Sequence, residues 1–512
     1  MCQGVLHQMR VTVAAVQFEP RLGDKAYNLQ ALRDLTVRAA GAGARLVVLP
    51  EMATTGYCFC DRAEVAPLVE PIPDGPTVRA FAELAAELGL HIVVGMPEVE
   101  PATGAFYNAA VLIGPQGYIG KYRKTHSFID ETRWARDGDL GIPVFVTDLG
   151  RIGIVICMDN SFFEPARVAA LAGAEILAFP TNWLGNQDAW RVRALENGVY
   201  VISANRWGEE RGTQFCGNSA VIDPNGRDLG LLATGDGLVL AEVEPDLARA
   251  ARTVALARRR PEQYQDLLIS SYLWHWRDAQ RLPAGRPVAV AAGEATELRR
   301  MADQVRWADK RARDRGWPKL DLAVFPWCEE APDPGALAEL ARALDCHLVW
   351  GAPEEGGFNT AWLVGPEGTI GKYRQVHAEP GSAAGDGFAL FDLPWGRLGL
   401  LLDSDLAVPE AARILAKRGA DLIAAPARPT AEGPDRVVWK ERCMENDTPL
   451  VVAEAAGGCA VYQPMRPRIT RPDVPGEMTL ALVDTGAEAV RAKELLRKLQ
   501  PRWYDPLVLP DR

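Results

Sequence analysis

The chain combines 512 residues with a formal net charge of -11 and nine cysteines, which excludes a disulfide scaffold and leaves no basic footprint for nucleic acid. This length exceeds what one hydrophobic core usually serves, so two or more domains are expected. The scattered cysteines favour a reducing, cytoplasmic compartment, and no apolar run is long enough to span a membrane.

The predicted elements alternate short strands with helices along the first half of the chain. Apolar, β-branched runs bounded by Gly, Pro or charged residues predict strands at 11–18, 45–50, 91–97 and 153–157. Apolar residues at helical spacing predict helices at Asn28–Gly41, Thr77–Leu88 and Glu164–Ala172. The turn sequences GPQG (114–117) and DPNG (223–226) predict hairpins. This pattern indicates an α/β domain in which helices cover sheets.

The second half of the chain repeats the first. GPQGYIGKYRKTH (114–126) returns as GPEGTIGKYRQVH (365–377), and RIGIVIC (151–157) returns as RLGLLLD (397–403). Even PEQYQDLL (261–268) has a counterpart, PRWYDPLV (501–508). Because the matches keep the same order, we interpret the chain as one unit copied twice. The seam is expected near Leu282–Pro287, with domains at 1–283 and 284–512.

Cys157 follows an apolar strand and precedes a helical segment. Such a strand–turn–helix junction exposes a side chain at a sheet edge and brings backbone N–H groups near it. These amides lower the pKa of a thiol and can stabilise an oxyanion. By itself, however, a cysteine in an apolar run is more often a small buried hydrophobic residue.

Three further charged residues could act beside this cysteine. Glu51 directly follows a predicted buried strand and is a candidate general base, although a strand-end carboxylate ordinarily faces solvent. Lys124 lies in KYRKTH, a basic cluster whose other members, Lys121 and Arg123, are expected on a solvated surface. Glu131 follows Lys124 closely enough in sequence to orient it.

Several motifs in the first copy closely resemble the nitrilase, or carbon–nitrogen hydrolase, superfamily. They cover nearly all of residues 10–270 in the order of that family. The motifs are LPEMATTGY (49–57), GKYRKTHSFIDETRWARDGD (120–139), GIVICMDNSFFEPARVAALAGAEILAFPTNW (153–183), RALENGVYVISANRWGEE (193–210), FCGNSAVIDPNG (215–226) and RRPEQY (259–264). The resemblance implies an α-β-β-α sandwich domain, duplicated here, and an amidase-type hydrolase that needs no metal or organic cofactor.

The resemblance also implies roles for individual residues. Glu51 would be the general base, Cys157 would attack the carbonyl carbon of a small-molecule amide, and Lys124 with the backbone N–H of Met158 would hold the oxyanion. Glu131 would position Lys124, and water would release the acid from the thioester. The remaining implied pocket residues, for which packing is about as plausible as substrate contact, are Tyr57, Phe128, Trp134, Asn182 and Trp183.

The second copy departs from this pattern at each catalytic position. Trp327 stands at the position of Glu51, Gln375 at that of Lys124, and Asp403 at that of Cys157. The loop that holds Glu131 is replaced by AEPGSAAGDG (378–387). We therefore expect a degenerate, catalytically inactive domain.

Other functions remain as alternatives. A strict nitrilase typically follows its cysteine with Trp-Glu, whereas Met158-Asp159 follows here, which favours an amidase. An N-carbamoyl or ureido hydrolase is a near alternative, and a non-enzymatic binding or scaffold protein is the alternative from another class.

The resemblance implies one further arrangement. Members of the family generally dimerise through the helix after the cysteine and the helix after the FPTNW-like turn. Those helices are predicted at Glu164–Leu171 and Trp190–Val199 in the first copy, and at Pro409–Lys417 and Val437–Asn446 in the second. We therefore expect the two copies to form a pseudo-two-fold dimer within one chain, with higher assembly possible.

Overall fold

The computed structural model describes residues 9–185, 187–270, 281–429, 435–455, 457–464, 468–471 and 477–510. The chain forms two compact units. The first unit comprises the described part of residues 1–257 together with Arg502–Leu507, and the second comprises the described part of 258–501 together with Val508–Pro510. The units therefore exchange chain segments: residues that end the first copy belong to the second unit, and residues that end the second copy belong to the first.

Two six-stranded sheets form the centre of the first unit. In chain order its strands are β1 (Val11–Gln17), β2 (Leu46–Val48), β3 (His91–Val99), β4 (Phe106–Gly114), β5 (Gly117–Arg123), β6 (Val144–Thr147), β7 (Gly150–Ile154), β8 (Ile176–Thr181), β9 (Tyr200–Asn205), β10 (Trp207–Glu210), β11 (Thr213–Cys216), β12 (Ser219–Ile222), β13 (Asp228–Leu232) and β14 (Gly237–Val243). The sheets have the orders β14-β1-β2-β3-β4-β5 and β13-β12-β9-β8-β7-β6, while β10 and β11 form a separate ribbon. The central strands β1–β3 and β7–β9 are parallel, and the outer strands are antiparallel.

Helices cover the outer faces of both sheets in this unit. The described α-helices are α1 (Lys25–Gly41), α2 (Arg62–Val65), α3 (Pro76–Leu88), α4 (Phe163–Leu171), α5 (Asp188–Asn197) and α6 (Pro245–Leu256). One face of the first sheet packs on α1 and α3, and the outer face of the second sheet packs on α4 and α5. The inner faces pack on each other, because alternate side chains of a strand point to opposite faces. The predicted α-β-β-α sandwich is confirmed for this unit.

The second unit repeats the two-sheet arrangement. Its strands are β15 (Pro287–Ala292), β16 (Leu320–Trp327), β17 (His347–Glu354), β18 (Phe358–Gly365), β19 (Gly368–Arg374), β20 (Leu390–Leu393), β21 (Gly396–Leu400), β22 (Leu422–Ala427), β23 (Leu450–Glu454), β24 (Ala460–Gln463), β25 (Arg468–Thr470) and β26 (Thr479–Asp484). Its sheets have the orders β19-β18-β17-β16-β15-β26 and β20-β21-β22-β23-β24-β25. Its α-helices span Leu298–Asp314, Pro334–Leu344, Asp403–Leu406, Pro409–Lys417, Asp435–Met444 and Glu488–Ala492, and a further helix spans Asp505–Val508 near the chain end.

The predicted elements exist, with shifted ends. Both predicted hairpins are present, as β4–β5 and β12–β13. The strand predicted at 45–50 is shorter, Leu46–Val48, and the strand predicted to reach Cys157 ends at Ile154. The helix predicted at Val437–Asn446 spans Asp435–Met444. Within the described residues, no helix has both the length and the apolar character needed to cross a membrane.

Candidate active site

Glu51 lies in the turn that follows β2. This turn packs tightly against Gly95 of β3, where an added Cβ would stand 2.3 Å from the Pro50 carbonyl oxygen and 2.8 Å from the Glu51 Cα. Only glycine permits such a close backbone approach. Glu51 is fully buried as a result, so the solvent-facing alternative for this carboxylate is wrong.

The two oxygens of the Glu51 carboxylate have different surroundings. Its Oε1 accepts hydrogen bonds from Lys124 Nζ at 2.8 Å and from Asn108 Nδ2 at 2.7 Å. Its Oε2 is buried and accepts no hydrogen bond from the described residues. Since a buried carboxylate oxygen is costly to leave unsatisfied, this atom is suited to accept a proton or bind water.

Lys124 joins two buried carboxylates. It begins the loop after β5, is almost completely buried, and donates to Glu51 and, at 2.5 Å, to Glu131 Oε1. Burial lowers the Lys124 pKa, but the negative charges of Glu131 and Glu51 outweigh it and hold this pKa well above its usual range. Lys124 is therefore a fixed ammonium group.

Glu131 lies in the 3-10 turn Ile129–Arg133 and also accepts the Tyr57 hydroxyl at 2.6 Å. Burial raises the pKa of Glu131 to about 7, with the nearby charge of Glu51 adding to the rise and Lys124 opposing it. One cation thus serves two carboxyl groups, and the pKa of Glu131 lies above its usual range.

Cys157 begins the 3-10 turn Cys157–Ser161, just beyond β7. Its φ of 41° lies in the left-handed region, which costs a non-glycine residue about 1–3 kcal/mol. The first N–H groups of a helical turn have no acceptor within it, so the amide of Met158 is available near the thiol. This strained turn combines a sulfur atom with backbone N–H groups that have no acceptor within the turn itself.

The Cys157 thiol shares its surroundings with all three charged residues. Burial raises its pKa, Glu51 and Glu131 raise it further, and Lys124 and a backbone hydrogen bond from Asn182 lower it. The resting group is therefore a thiol rather than a thiolate, and it needs a base to become a nucleophile.

The structure brings together some of the predicted pocket residues. Tyr57, Phe128 and Trp134 belong to one apolar cluster. Asn182 is buried beside Cys157, and neither polar atom of its side chain has a hydrogen-bond partner among the described residues. Trp183 packs both on the core that includes Cys157 and on the core around α5. Met158 is half-buried in the turn.

The surface expectation for Arg123 is wrong. This side chain is only 3% exposed and donates to Glu98, Glu100 and Asp139. Lys121 also pairs with Glu98. Periodicity could not distinguish these residues from a solvated basic strand, because the acidic partners come from distant parts of the sequence.

A buried aspartate that sequence reasoning left without a role, Asp159, joins two segments of the site. They are the loop that Lys124 begins (124–143, the lysine loop) and the turn Cys157–Ser161 (the cysteine turn). Asp159 Oδ1 accepts from Thr125 Oγ1 at 3.0 Å and from His126 N and Nδ1 at 3.0 and 2.9 Å. Its Oδ2 accepts from Tyr122 Oη at 2.8 Å and from Ile156 N at 2.9 Å. Although burial opposes ionisation, these bonds hold the Asp159 pKa below its usual range. We call this set of five residues the aspartate clamp.

The internal repeat carries a signal for the residues that were missed. Asn108, His126 and Asp159 correspond to Asn359, His377 and Asp405 in the second copy, where the same types stand at the same places in the fold. A polar residue that survives in both copies of an apolar segment is a reasonable candidate for a buried polar contact.

The corresponding place in the second unit holds a different set of contacts. Asp403 begins a short α-helix, and its carboxylate pairs with Arg428 Nη1 at 3.0 Å and accepts Gln375 Nε2 at 3.3 Å. The Arg428 guanidinium lies 3.9 Å from the centre of the Trp327 ring. Arg428 stands where the first copy has Asn182, so an ion pair occupies the place of the thiol and its neighbours.

No group of side chains suited to hold a metal ion occurs among the described residues of either unit. The first unit contains four groups close together: the buried Cys157 thiol, the Glu51 carboxylate with one oxygen that accepts no hydrogen bond from the described residues, the Lys124 ammonium and the backbone amide of Met158. This set is capable of covalent acyl transfer.

Comparison with known proteins places this chemistry in a family. The model of the family described as carbon-nitrogen hydrolase matches twice, over residues 12–253 and 316–489. A nitrilase of Pyrococcus abyssi is 40% identical over 245 residues, covering 47% of this chain and 93% of that protein.

Two further relatives have other names. An (R)-stereoselective amidase of Pseudomonas is 34% identical, covering 47% of this chain and 87% of that protein. An N-carbamoylputrescine amidase of Solanum lycopersicum is 33% identical, covering 50% of this chain and 95% of that protein. With both copies matched, the chain belongs to the carbon-nitrogen hydrolase family and is a hydrolase acting on carbon–nitrogen bonds other than peptide bonds.

Proposed function

We propose that the first unit hydrolyses a small-molecule amide to a carboxylic acid and ammonia, or an amine, through a thioester on Cys157. The observation that carries the proposal is the buried Lys124, bonded to both Glu51 and Glu131 beside a strained cysteine. Glu51, Lys124 and Cys157 form the catalytic triad of this proposal, and Glu131 positions the lysine.

In the first half-reaction, Glu51 takes the proton of the thiol as the sulfur attacks the amide carbonyl carbon. A carbon–sulfur bond forms, and the carbonyl oxygen becomes an oxyanion. Lys124 and the backbone N–H of Met158 stabilise that charge in a site with little water, where such interactions are strongest. Glu51 then passes its proton to the nitrogen, the carbon–nitrogen bond breaks, and ammonia leaves.

In the second half-reaction, Glu51 removes a proton from a water molecule, which attacks the thioester carbonyl. The second oxyanion uses the same two donors. Collapse breaks the carbon–sulfur bond, the sulfur recovers the proton from Glu51, and the carboxylic acid is released. The first half needs a base because Cys157 rests as a thiol, and the second needs one because water is the nucleophile. The Oε2 of Glu51, which has no partner among the described residues, supports that role.

Amides are proposed as better substrates than nitriles. The hypothesis rests on Met158-Asp159, and Asp159 is committed to the aspartate clamp rather than open to a substrate. The relatives named nitrilase and N-carbamoylputrescine amidase keep nitriles and N-carbamoyl compounds as the alternative substrate classes.

Ammonia release from a panel of small amides, ureido compounds and nitriles tests the proposal, with Cys157→Ala as the blank. We expect the highest kcat/KM among the amides, and an acyl adduct on Cys157 in the intact-protein mass of enzyme quenched during turnover. Efficient nitrile hydrolysis with negligible amide turnover would contradict the substrate assignment.

We also propose that the second unit supports the first without turning over substrate. The Asp403–Arg428 pair and the loss of base and lysine support an inactive site. The family's mode of dimerisation, carried over to the two copies, predicts that they form an intrachain pseudo-dimer. The exchange of chain ends between the units supports a structural role for the second copy.

A further inference from the structure

The C-terminal segment of the chain reaches the aspartate clamp of the first unit. The Tyr504 hydroxyl lies 3.0 Å from Nε2 of His126, whose Nδ1 lies 2.9 Å from the Asp159 carboxylate. All three side chains are fully or almost fully buried. This contact connects a residue near the chain end to the clamp between the lysine loop and the cysteine turn.

The direction of these bonds follows from the charge of Asp159. A carboxylate accepts only, and the pKa of this one lies below its usual range, so His126 Nδ1 carries a proton and donates it. In a neutral imidazole the other nitrogen must then accept. Tyr504 is the residue at that nitrogen with a hydroxyl to donate. The tyrosine thereby fixes both the tautomer and the orientation of the ring.

The same segment makes a second contact with the lysine loop. Arg502 Nη2 donates to the Gly138 carbonyl at 3.3 Å, and Gly138 N donates to the Lys124 carbonyl at 2.7 Å. Gly138 is packed so closely that an added Cβ would lie 2.0 Å from the Arg123 carbonyl oxygen. One contact of the segment therefore ends on the side chain of His126, two residues after Lys124. The other ends on the carbonyl of Gly138, whose amide bonds to the Lys124 carbonyl.

The second unit contains the same connection without the catalytic residues. The Tyr264 hydroxyl lies 2.7 Å from His377 Nε2, and His377 Nδ1 lies 2.9 Å from Asp405. Asp405 also accepts from the Tyr373 hydroxyl and the Leu402 amide. The two connections match in geometry and burial, so the second serves as an internal reference for what this arrangement contributes to folding alone.

We infer that Tyr504 is a positioning residue for the proposed amide hydrolysis: through His126 and Asp159 it holds Lys124 and the Cys157 turn at the distance that the reaction needs. The inference rests on the proposed function. A small change in the spacing of reacting groups lowers the rate of the chemical steps, whereas substrate binding in the apolar cluster around Tyr57 stays the same.

The test compares Tyr504→Phe with Tyr264→Phe in the full chain. Each removes one hydroxyl from a buried tyrosine–histidine bond and keeps the ring. We measure kcat and KM for the preferred amide, and we count active sites by iodoacetamide labelling of Cys157, identified by peptide mass. Misfolded chains expose the thiol and react in a separate kinetic phase, so only Cys157 labelled in the phase of the native wild-type chain is counted. Dividing by that count removes any loss that comes from misfolded protein.

For Tyr504→Phe we expect kcat per labelled Cys157 to fall about 5- to 30-fold with KM nearly unchanged, which is the size of effect that one buried hydrogen bond can have. The rate constant of Cys157 alkylation should fall as well. For Tyr264→Phe we expect a similar change in Tm but a wild-type kcat per site.

Unchanged kcat per labelled site in Tyr504→Phe, or equal losses in both variants, would overturn the inference. If a variant folds poorly, the alkylation rate constant of Cys157 still tests the inference, because this constant is measured on the soluble protein that remains. If the wild-type chain hydrolyses no amide, ureido compound or nitrile, the proposed function fails instead, and the two failures are thereby distinguished.

Discussion

The turn at Cys157 and the turn at Asp403 are two versions of one structure. Both lie at the same place after a parallel strand, and both are tied down by an aspartate, Asp159 or Asp405, two residues further on. The first turn holds a strained residue with a φ of 41° beside a buried lysine. The second begins a short α-helix, and its Asp403 carboxylate forms an ion pair with Arg428.

This difference shows which contacts the fold needs and which the chemistry needs. The aspartate and histidine of the clamp, and the tyrosine bonded to that histidine, have counterparts in the second unit, where the triad is absent, so this connection does not depend on the chemistry. The backbone strain, the unpartnered carboxylate oxygen and the buried lysine occur together in the first unit. Backbone strain is costly, and Asp403, the counterpart of Cys157, does not adopt a positive φ.

Replacing Cys157 or its counterpart Asp403 should give the largest difference in activity between the two units. Cys157→Ala should abolish ammonia release, because a methyl group cannot form the thioester. Asp403→Ala should leave kcat/KM within a few-fold of wild type. The measurement is steady-state amide hydrolysis by both variants. Comparable losses of kcat/KM in the two would show that the activity does not depend on the Cys157 site alone.

Exchanging the basic residue should have the next largest effect. Lys124→Gln introduces the residue type that the second copy carries at Gln375, and it removes the ammonium from the oxyanion site. We expect kcat to fall by about 10²- to 10³-fold. The matched control, Gln375→Lys, should create no activity in a Cys157→Ala background. Turnover near the wild-type rate in Lys124→Gln would refute the role of the lysine.

Separating the copies tests the supporting role of the second unit. A chain ending at residue 283 lacks Arg502–Leu507, which belong to the first unit, and so lacks the Tyr504–His126 bond. We expect aggregation, or rescue by homodimer formation, with most of the specific activity lost. Size-exclusion chromatography and the amide assay check this expectation. A soluble, stable and fully active monomer would eliminate the supporting role.

The smallest predicted effect concerns pH. The Glu131 pKa is about 7 in the folded protein against a reference value of 4.5, so the unfolded chain releases this proton first. Stability contributed by Glu131 should therefore be present below pH 4.5 and be lost as pH rises through 7. Tm measured between pH 5 and 8 should fall more steeply in wild type than in Glu131→Gln. Parallel curves would show that Glu131 does not titrate in this range.

Local patterns predicted an α/β domain in which helices cover sheets, whereas the sandwich and the roles of Glu51, Lys124 and Cys157 were implied by the resemblance of several motifs to one family. Apolar, β-branched runs identify buried strands, and such runs precede Glu51 and Cys157 by two or three residues. Lys124 instead follows β5, GYIGKYR, which is only partly apolar. The ends of elements were less predictable, as at Ile154, because the last residues of a strand are decided by pairing with neighbours.

Side-chain contacts between residues far apart in the sequence could not be predicted from local patterns. The burial of Arg123 depends on acidic residues before and after it, and the bond from Tyr504 to His126 spans 378 residues. The ion pair of Asp403 with Arg428 replaces two residues of the first copy at once. A single sequence does not register such pairs, whereas the internal repeat identifies the clamp by its survival in both copies.

The exchanged chain ends have a consequence for synthesis. The first unit lacks its last segment until Arg502–Leu507 leave the ribosome, roughly 245 residues after Ala257 has been made, or about 10–50 s at ordinary elongation rates. The order of translation therefore delays completion of the nucleophile's surroundings until Arg502–Leu507 have been made. A ribosome that stops early releases a chain that lacks the last support of its active site.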